Sequence, residues 1–393
     1  MKSFLDHLEC TSCRGTFNAE FPHQTCPDCD KVLYPKYDIE NARAAFRKES
    51  LNTRPHSMWR YREMLPVRND ENIVTLGEGM TPMLKTNQLA ASMGSNNLYI
   101  KDEGVNPSAS FKSRGMSAAV SRAKELGFTK LSVPTAGNAG GALAIYAAAA
   151  NMEAHIFMPV DAQASNLKES AISGAHVTLV DGLIGDAGKI SREMAAKHGL
   201  FDLSTLKEPY RVEGKKTMGY EIAEQFGWQV PDAIVYPTGG GTGIVGIWKA
   251  FEELETLGWI NAKRPRMFCV QAENCAPLVK AFHEGSKTAS PWNDAKTMAS
   301  GLRVPSAIAD YLIIDILRES HGGAVTVSDE EMLAGMKTVA SLEGVFMCPE
   351  GAATAVAAQK LLSDGTLSDQ DRIILLNTGS GLKYLDLLEQ SPI

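Results

Sequence analysis

From Thr81 onward, short β-rich runs alternate with alanine-rich helical stretches, and this alternation constrains the chain more than any other feature. The runs are Leu98–Lys101, Leu131–Pro134, His155–Met158, Val177–Val180, Ala233–Tyr236, Met267–Val270 and Ile373–Leu376. The helical stretches are Arg114–Leu126, Gly140–Ala150, Asp186–His198, Thr217–Phe226, Gly243–Leu257, Asp329–Leu342 and Ala352–Ser363. Strand, helix, strand in turn is the pattern of an α/β fold with parallel-rich sheets. In such sheets ligands sit at the carboxyl ends of strands, against the N-termini of the helices that follow. At 393 residues the chain exceeds the usual size of one domain, so a fold of two or more domains is expected.

Composition narrows the function classes. With 44 % hydrophobic and 22 % charged residues, the chain reads as globular rather than disordered or fibrous. A net charge of −7 without a basic block argues against nucleic acid as the main partner. The longest apolar stretch, Gly140 to Ala150, is about half of what spans a bilayer. The first ten residues, MKSFLDHLEC, have no apolar signal core, so no membrane partner and a reducing cytoplasmic location are expected.

Of the seven cysteines, four fall in two C-x-x-C knuckles, Cys10-Thr-Ser-Cys13 and Cys26-Pro-Asp-Cys29, twelve residues apart. Four thiolates on two turns close a tetrahedron around a structural zinc, with no position left for substrate. Two disulfides, or a ribbon that has lost its metal, are the alternatives. Residues 1–68 carry eleven Lys+Arg against nine Asp+Glu, a weak footprint for a nucleic-acid-binding ribbon. Residues 1–37 thus read as a small stapled module, followed by an arm over 38–80 that Pro55, Pro66, Gly77 and Gly79 keep irregular. Cys269, Cys275 and Cys348 read as structural.

Four loops carry chemistry. Lys112, in Asn106-Pro-Ser-Ala-Ser-Phe-Lys112-Ser-Arg-Gly115, opens a helix, where the dipole lowers the cost of a neutral amine able to form a Schiff base. A solvated cation or a phosphate ligand is the other reading of that lysine. Pro134-Thr-Ala-Gly-Asn138-Ala-Gly-Gly141 presents backbone N–H groups and one side-chain amide, or else is a tight turn whose glycines only permit packing. Pro237-Thr-Gly239-Gly-Gly-Thr242-Gly243 lacks the lysine of a nucleotide P-loop and the spacing of a dinucleotide fingerprint, so a lone phosphate group suits it best. Asn377-Thr378-Gly379-Ser380-Gly381 puts a hydroxyl at a strand end.

Taken in order, these loops resemble the fold-type II pyridoxal-phosphate enzymes, and within them the threonine synthases. The matching pieces are Leu76-Gly-Glu-Gly-Met-Thr-Pro82, Ser110-Phe-Lys112, Ala136-Gly-Asn138, the run Gly239 to Gly243, Glu343-Gly-Val with Pro349-Glu-Gly, and Asn377-Thr-Gly-Ser-Gly-Leu-Lys383, behind a cysteine-knuckle leader. The resemblance implies pyridoxal 5′-phosphate as cofactor, with Lys112 as the catalytic residue that joins it as an imine and shuttles protons. It implies Phe111 beside the ring, Asn138 on the 3′ oxygen, Gly239, Gly240, Gly241, Thr242 and Gly243 around the phosphate, and Thr378 at the pyridine nitrogen. Thr135, Ala136 and Gly137, with Asn138, would hold the substrate carboxylate, and Arg114, Arg211, Lys215 and Lys216 are candidates for the phosphate that leaves; a surface charge cluster is the other reading of those cations. The expected domains are 81–120 with 208–393 for the cofactor and 121–207 for the asparagine loop. No regulatory domain is expected after Gly381-Leu-Lys-Tyr384, and a homodimer is.

In a threonine synthase, O-phosphohomoserine and water give threonine and phosphate. Three departures fall where substrate is recognised: Ser113 follows the lysine where many such enzymes have Asp, the asparagine loop reads Thr-Ala-Gly-Asn rather than Ser-Thr-Gly-Asn, and the phosphate loop has three glycines where Gly-Asn is more common. A threonine or serine ammonia-lyase, or another β-eliminase, would keep the same cofactor residues. A non-catalytic zinc-ribbon interaction protein is a third reading, opposed by the intact Lys112 and glycine loop.

Overall fold

A computed structural model describes residues 2–388. The leader forms three antiparallel strands, β1 (Leu5–Cys10), β2 (Thr16–Asn18) and β3 (Leu33–Tyr37), followed by helix α1 (Ile39–Ala45), whose first turn is capped by the Asp38 carboxylate accepting from the Asn41 N–H. Short 3-10 turns carry the arm to Met80. The next elements are β4 (Met83–Lys85), α2 (Gln88–Met93) and β5 (Leu98–Asp102). Then come α3 (Lys112–Glu125), β6 (Lys130–Pro134), α4 (Ala139–Ala149), β7 (Glu153–Pro159), α5 (Ala164–Ile172), β8 (His176–Val180), α6 (Ile184–His198), β9 (Phe201–Asp202) and α7 (Arg211–Gln225). The last stretch holds β10 (Ala233–Pro237), α8 (Thr242–Thr256), β11 (Arg266–Ala272), α9 (Pro277–His283), α10 (Asp310–Glu319), β12 (Gly323–Val327), α11 (Asp329–Glu343), α12 (Pro349–Ser363) and β13 (Ile373–Asn377).

Each of the seven β-rich runs is a strand and each helical stretch a helix. One boundary is corrected: α7 begins at Arg211 rather than Thr217, so the cation-bearing segment Arg211–Lys216 is helical. The sequence reading passed over β12, which opens on glycine and buries only Ala324 and Val327, and the short elements β4, α2, α5, β9, α9 and α10.

Chain contacts group Met1–Met80, Lys112–Tyr220 and Gly246–Trp259 into one compact unit, and Thr81–Phe111, Glu221–Val245 and Ile260–Ile393 into a second. This grouping differs from the expected boundaries at α3, α7 and α8, and glycines show why. A methyl on Gly214 of α7 would overlap the Arg114 carbonyl of α3, and one on Gly246 of α8 would lie 2.8 Å from the Lys216 nitrogen. Helices that approach this closely move together.

The first unit holds the leader sheet, ordered β2-β1-β3, and a parallel sheet ordered β8-β7-β6-β9. The second holds a six-stranded sheet ordered β12-β11-β10-β13-β5-β4, parallel except for β4 at its edge. Every residue of β10 and β13 is buried, as expected of central parallel strands covered on both faces.

In the first unit, the leader is fastened to α7 and α8 by a buried charge network. The Tyr37 hydroxyl of β3 donates to Glu213 at 2.5 Å; Lys216 and Lys249 each donate to both Glu213 and Glu253, and Tyr220 donates to Glu253 at 2.9 Å. Lys216 also stands 4.0 Å from the centre of the Tyr37 ring. Removing one member leaves charges buried without balance. Glu213→Gln is therefore expected to destabilise the protein by about 3–5 kcal/mol, read as a lower denaturant midpoint.

Candidate active site

In the second unit, three adjacent parallel strands, β10, β13 and β5, end side by side. Their carboxyl ends deliver the loop Thr238–Gly241, the segment Thr378–Ser380 and the stretch leading to Phe111. The Phe111 N–H donates to the Thr378 carbonyl at 3.0 Å, Ser110 pairs with Gly379, and the Phe111 ring meets Tyr236 edge-on with centroids 6.3 Å apart. The glycine run is imposed by packing and conformation. Gly241 has φ +79° and a methyl there would overlap Ile313, while a methyl on Gly239 would overlap the Gly301 carbonyl. Thr242 then starts α8, whose first N–H groups and positive dipole end suit a phosphate.

Thr378 is 5 % exposed and has the Cys348 sulfur 3.8 Å from its hydroxyl. Burial first, then the neighbouring Glu350 carboxylate, push the Cys348 thiol well above its usual range, so it stays neutral. It caps α12 by accepting from the Gly351 N–H. Cys269 and Cys275 are buried as well, and burial pushes Cys269 up to about 12.

Glu350 had been given no role by its sequence context. One carboxylate oxygen accepts from the Gly301 N–H at 2.8 Å and the Tyr384 hydroxyl at 2.9 Å; the other is buried with no hydrogen-bond partner. Glu350 thus sits under Gly301, the residue on which the phosphate loop packs at Gly239.

In the first unit, Lys112 is the first residue of α3, one peptide bond beyond Phe111. Arg114 is fully buried and donates to the Thr217 hydroxyl of α7 at 2.9 Å. The Lys215 ammonium lies 3.0 Å from where a methyl on Gly115 would be, so two buried cations, Arg114 and Lys215, stand at the crossing of α3 and α7. The other two candidate cations are engaged elsewhere. Arg211 donates to the Leu203 carbonyl and to Thr205, beside the buried Glu208 carboxylate, and Lys216 belongs to the Glu213–Glu253 network.

The asparagine loop follows β6 in the same unit. Thr135 accepts from the Gly137 N–H at 3.0 Å, which shapes the turn, and Ala136 is buried. The Asn138 side-chain oxygen is buried with no hydrogen-bond partner, so this amide is held ready for a group that the polypeptide does not supply. In the second unit, taken by itself, the glycine run at the start of α8 fits the phosphate of such a group.

What the arm does becomes clear here. Glu78, from Leu76-Gly-Glu-Gly, accepts from Trp59 at 3.1 Å and from Tyr146 of α4 at 2.5 Å, while Trp59 also donates to Ser117 of α3 at 2.9 Å. Burial and the Glu78 carboxylate push Tyr146 up, which keeps its hydroxyl a donor. The arm thereby ties together the two helices that start at Lys112 and just after Asn138. Glu78, Tyr146 and Trp59 were missed as positioning residues; the only signal was a glutamate between two glycines.

The knuckle cysteines meet as well. All four sulfurs lie within 4.8 Å of one another, with Cys10 to Cys29 at 3.4 Å and Cys13 to Cys26 at 3.6 Å. A disulfide needs about 2.05 Å, whereas sulfurs around a tetrahedral zinc at about 2.3 Å stand roughly 3.8 Å apart. The N–H groups of Ser12 and Cys13 both point at the Cys10 sulfur at 3.4 Å. Burial raises that thiol, but these bonds outweigh it and bring it to about 7, whereas burial pushes its neighbour Cys26 up to about 12. The donor set fits zinc.

A family model described as "Pyridoxal-phosphate dependent enzyme" matches residues 74–379. The chain belongs to this family. Within it, the chain is 35 % identical to the threonine synthase of Methanocaldococcus jannaschii over 96 % of this chain and 93 % of that one. It is also 35 % identical to the threonine synthase of Methanosarcina acetivorans over 98 % and 95 %. Among solved structures, maize serine racemase matches with a TM-score of 0.66 at 21 % identity, covering 79 % of this chain and 92 % of that one. A threonine deaminase isoform from Solanum lycopersicum matches with a TM-score of 0.67 at 22 % identity, covering 79 % and 81 %. These likenesses establish the fold-type II α/β architecture. No helix among the described residues is long and apolar enough to cross a membrane.

Cys26→Ser is expected to remove one equivalent of zinc per chain and to expose the leader to proteolysis, since closed zinc sites contribute directly to folding. Zinc content by elemental analysis, with limited proteolysis mapped within residues 1–37, checks this.

Proposed function

We propose that this protein is a pyridoxal-phosphate-dependent lyase that converts O-phospho-L-homoserine and water to L-threonine and phosphate. The observation that carries the reading is the pair of buried cations, Arg114 and Lys215, at the start of the helix that Lys112 opens. Deamination of threonine or serine releases no phosphate, so only the proposed reaction gives these cations a departing anion to meet. The threonine synthases at 35 % identity support the same choice over the ammonia-lyase alternative.

The residues divide the work. The backbone of Gly239 to Gly243 and the first turn of α8 would hold the cofactor phosphate, Phe111 and Asn138 the ring, and Thr378 the pyridine nitrogen. Thr378 would meet that nitrogen with a neutral hydroxyl, which has the neutral Cys348 thiol beside it. When bound, the cofactor supplies an electron sink for charge developing at the substrate carbons. Lys112 accepts and returns protons at Nζ, and its place at a helix N-terminus eases the neutral amine form that this requires. The N–H groups of the Thr135–Asn138 loop bind the α-carboxylate. Arg114 and Lys215 take the γ-phosphate, where charge-assisted bonds favour the departing dianion. Glu78 holds α3 and α4 in register so that these groups meet one substrate. We further place the enzyme in the cytoplasm, as a homodimer without nucleic-acid or membrane partners.

Incubating the holoenzyme separately with O-phosphohomoserine and with threonine separates the readings. Equal amounts of threonine and phosphate from the first substrate are expected; 2-oxobutanoate from the second, with no phosphate from the first, overturns the proposal. Arg114→Gln is expected to lower kcat/KM for O-phosphohomoserine by about 10–100-fold, the worth of one hydrogen bond to a charged group.

A further inference from the structure

Away from the catalytic loops, the first unit carries a second cluster of metal-ligating side chains. Glu153 and His155 are two residues apart on β7, so their side chains share one face of the sheet. His176 of β8 is the register partner of His155, and the two rings stack with centroids 5.0 Å apart. One oxygen of Glu153 lies 2.6 Å from His155 Nε2 and 3.8 Å from His176 Nε2. The other is held at 3.1 Å by Lys130 of β6, itself the register partner of Glu153. The three candidate ligand atoms all lie within 4.8 Å of one another. Further along the same face, Phe157 and Val180 are covered by Ala187 and its neighbours on α6, so the cluster occupies the open end near the strands' amino termini. The asparagine loop follows the opposite, carboxyl end of β6.

We propose that Glu153, His155 and His176 bind a borderline divalent cation, of which Zn²⁺ is the natural probe, and that the ion clips strand β8 to β7. Two imidazoles and a carboxylate select zinc, cobalt, nickel or copper over magnesium and calcium. A tetrahedral ion with bonds of about 2.0–2.1 Å wants its donors roughly 3.3–3.4 Å apart, and the two measured separations straddle that span, so small side-chain rotations close the site around the ion. Lys130 contributes by orienting the carboxylate without occupying the oxygen that faces the histidines. The fourth position stays open to water. Because the ligands come from two strands of one sheet, the ion stabilises the folded state by mass action.

The test uses holoenzyme dialysed against micromolar free Zn²⁺, with zinc per chain measured for the wild type, His155→Ala and His176→Ala. The zinc of the leader is common to all three and cancels. The wild type is expected to hold one equivalent more than either variant, and to gain in Tm with added Zn²⁺ where the variants gain less. Because His176 is largely exposed, its variant is expected to fold normally, which circular dichroism checks. Equal zinc content in folded wild type and folded His176→Ala overturns the proposal, and so does an equal Tm response; the assay of phosphate release is separate from both.

Discussion

The contact on which this molecule depends is the crossing of α3 and α7, where Gly214 lies against the Arg114 carbonyl with no room for a methyl group. Because the backbones approach so closely, side chains flanking the crossing are forced into a small buried volume. Arg114 and Lys215 are two of them, both buried, and Arg114 donates to the Thr217 hydroxyl of α7. The same helix α7 carries Glu213 and Lys216 into a fully balanced network with Lys249, Glu253 and Tyr37. One helix thus carries both a closed ion cluster that fixes the leader and one of the two buried cations at the crossing with α3.

The second unit solves a different problem with neutral groups. Its three adjacent parallel strands end in loops, and Gly239, Gly241 and Gly243 of the glycine run are packed against neighbours that hold their backbone N–H groups in place. Around Thr378, burial and the neighbouring Glu350 carboxylate keep the Cys348 thiol neutral.

Sequence rhythm revealed the strands and the helices that follow them, because alternation of β-branched runs with alanine-rich stretches is dictated by burial on both faces of a parallel sheet. The four loops were legible because glycine and a lone lysine at a strand-to-helix junction have few other uses. The knuckle cysteines were legible from spacing alone. What resisted reading was whatever depends on distant parts of the chain. Arg211 and Lys216 looked equivalent to Arg114 and Lys215 in sequence, and folding puts Arg211 beside Glu208 and Lys216 into the Glu213–Glu253 network. Likewise, nothing in Leu76-Gly-Glu-Gly announces that Glu78 meets Trp59 and Tyr146. His155 and His176 are twenty-one positions apart and become neighbours only through strand register.

The central claim is that Lys112, placed at the head of α3, is the residue that engages the cofactor. Borohydride reduction of the holoenzyme followed by peptide mass spectrometry measures this directly, because a reduced imine stays attached to its lysine. The account predicts one pyridoxyl group per chain, on Lys112. A pyridoxyl group on Lys215 or any other lysine, with Lys112 unmodified, would contradict it.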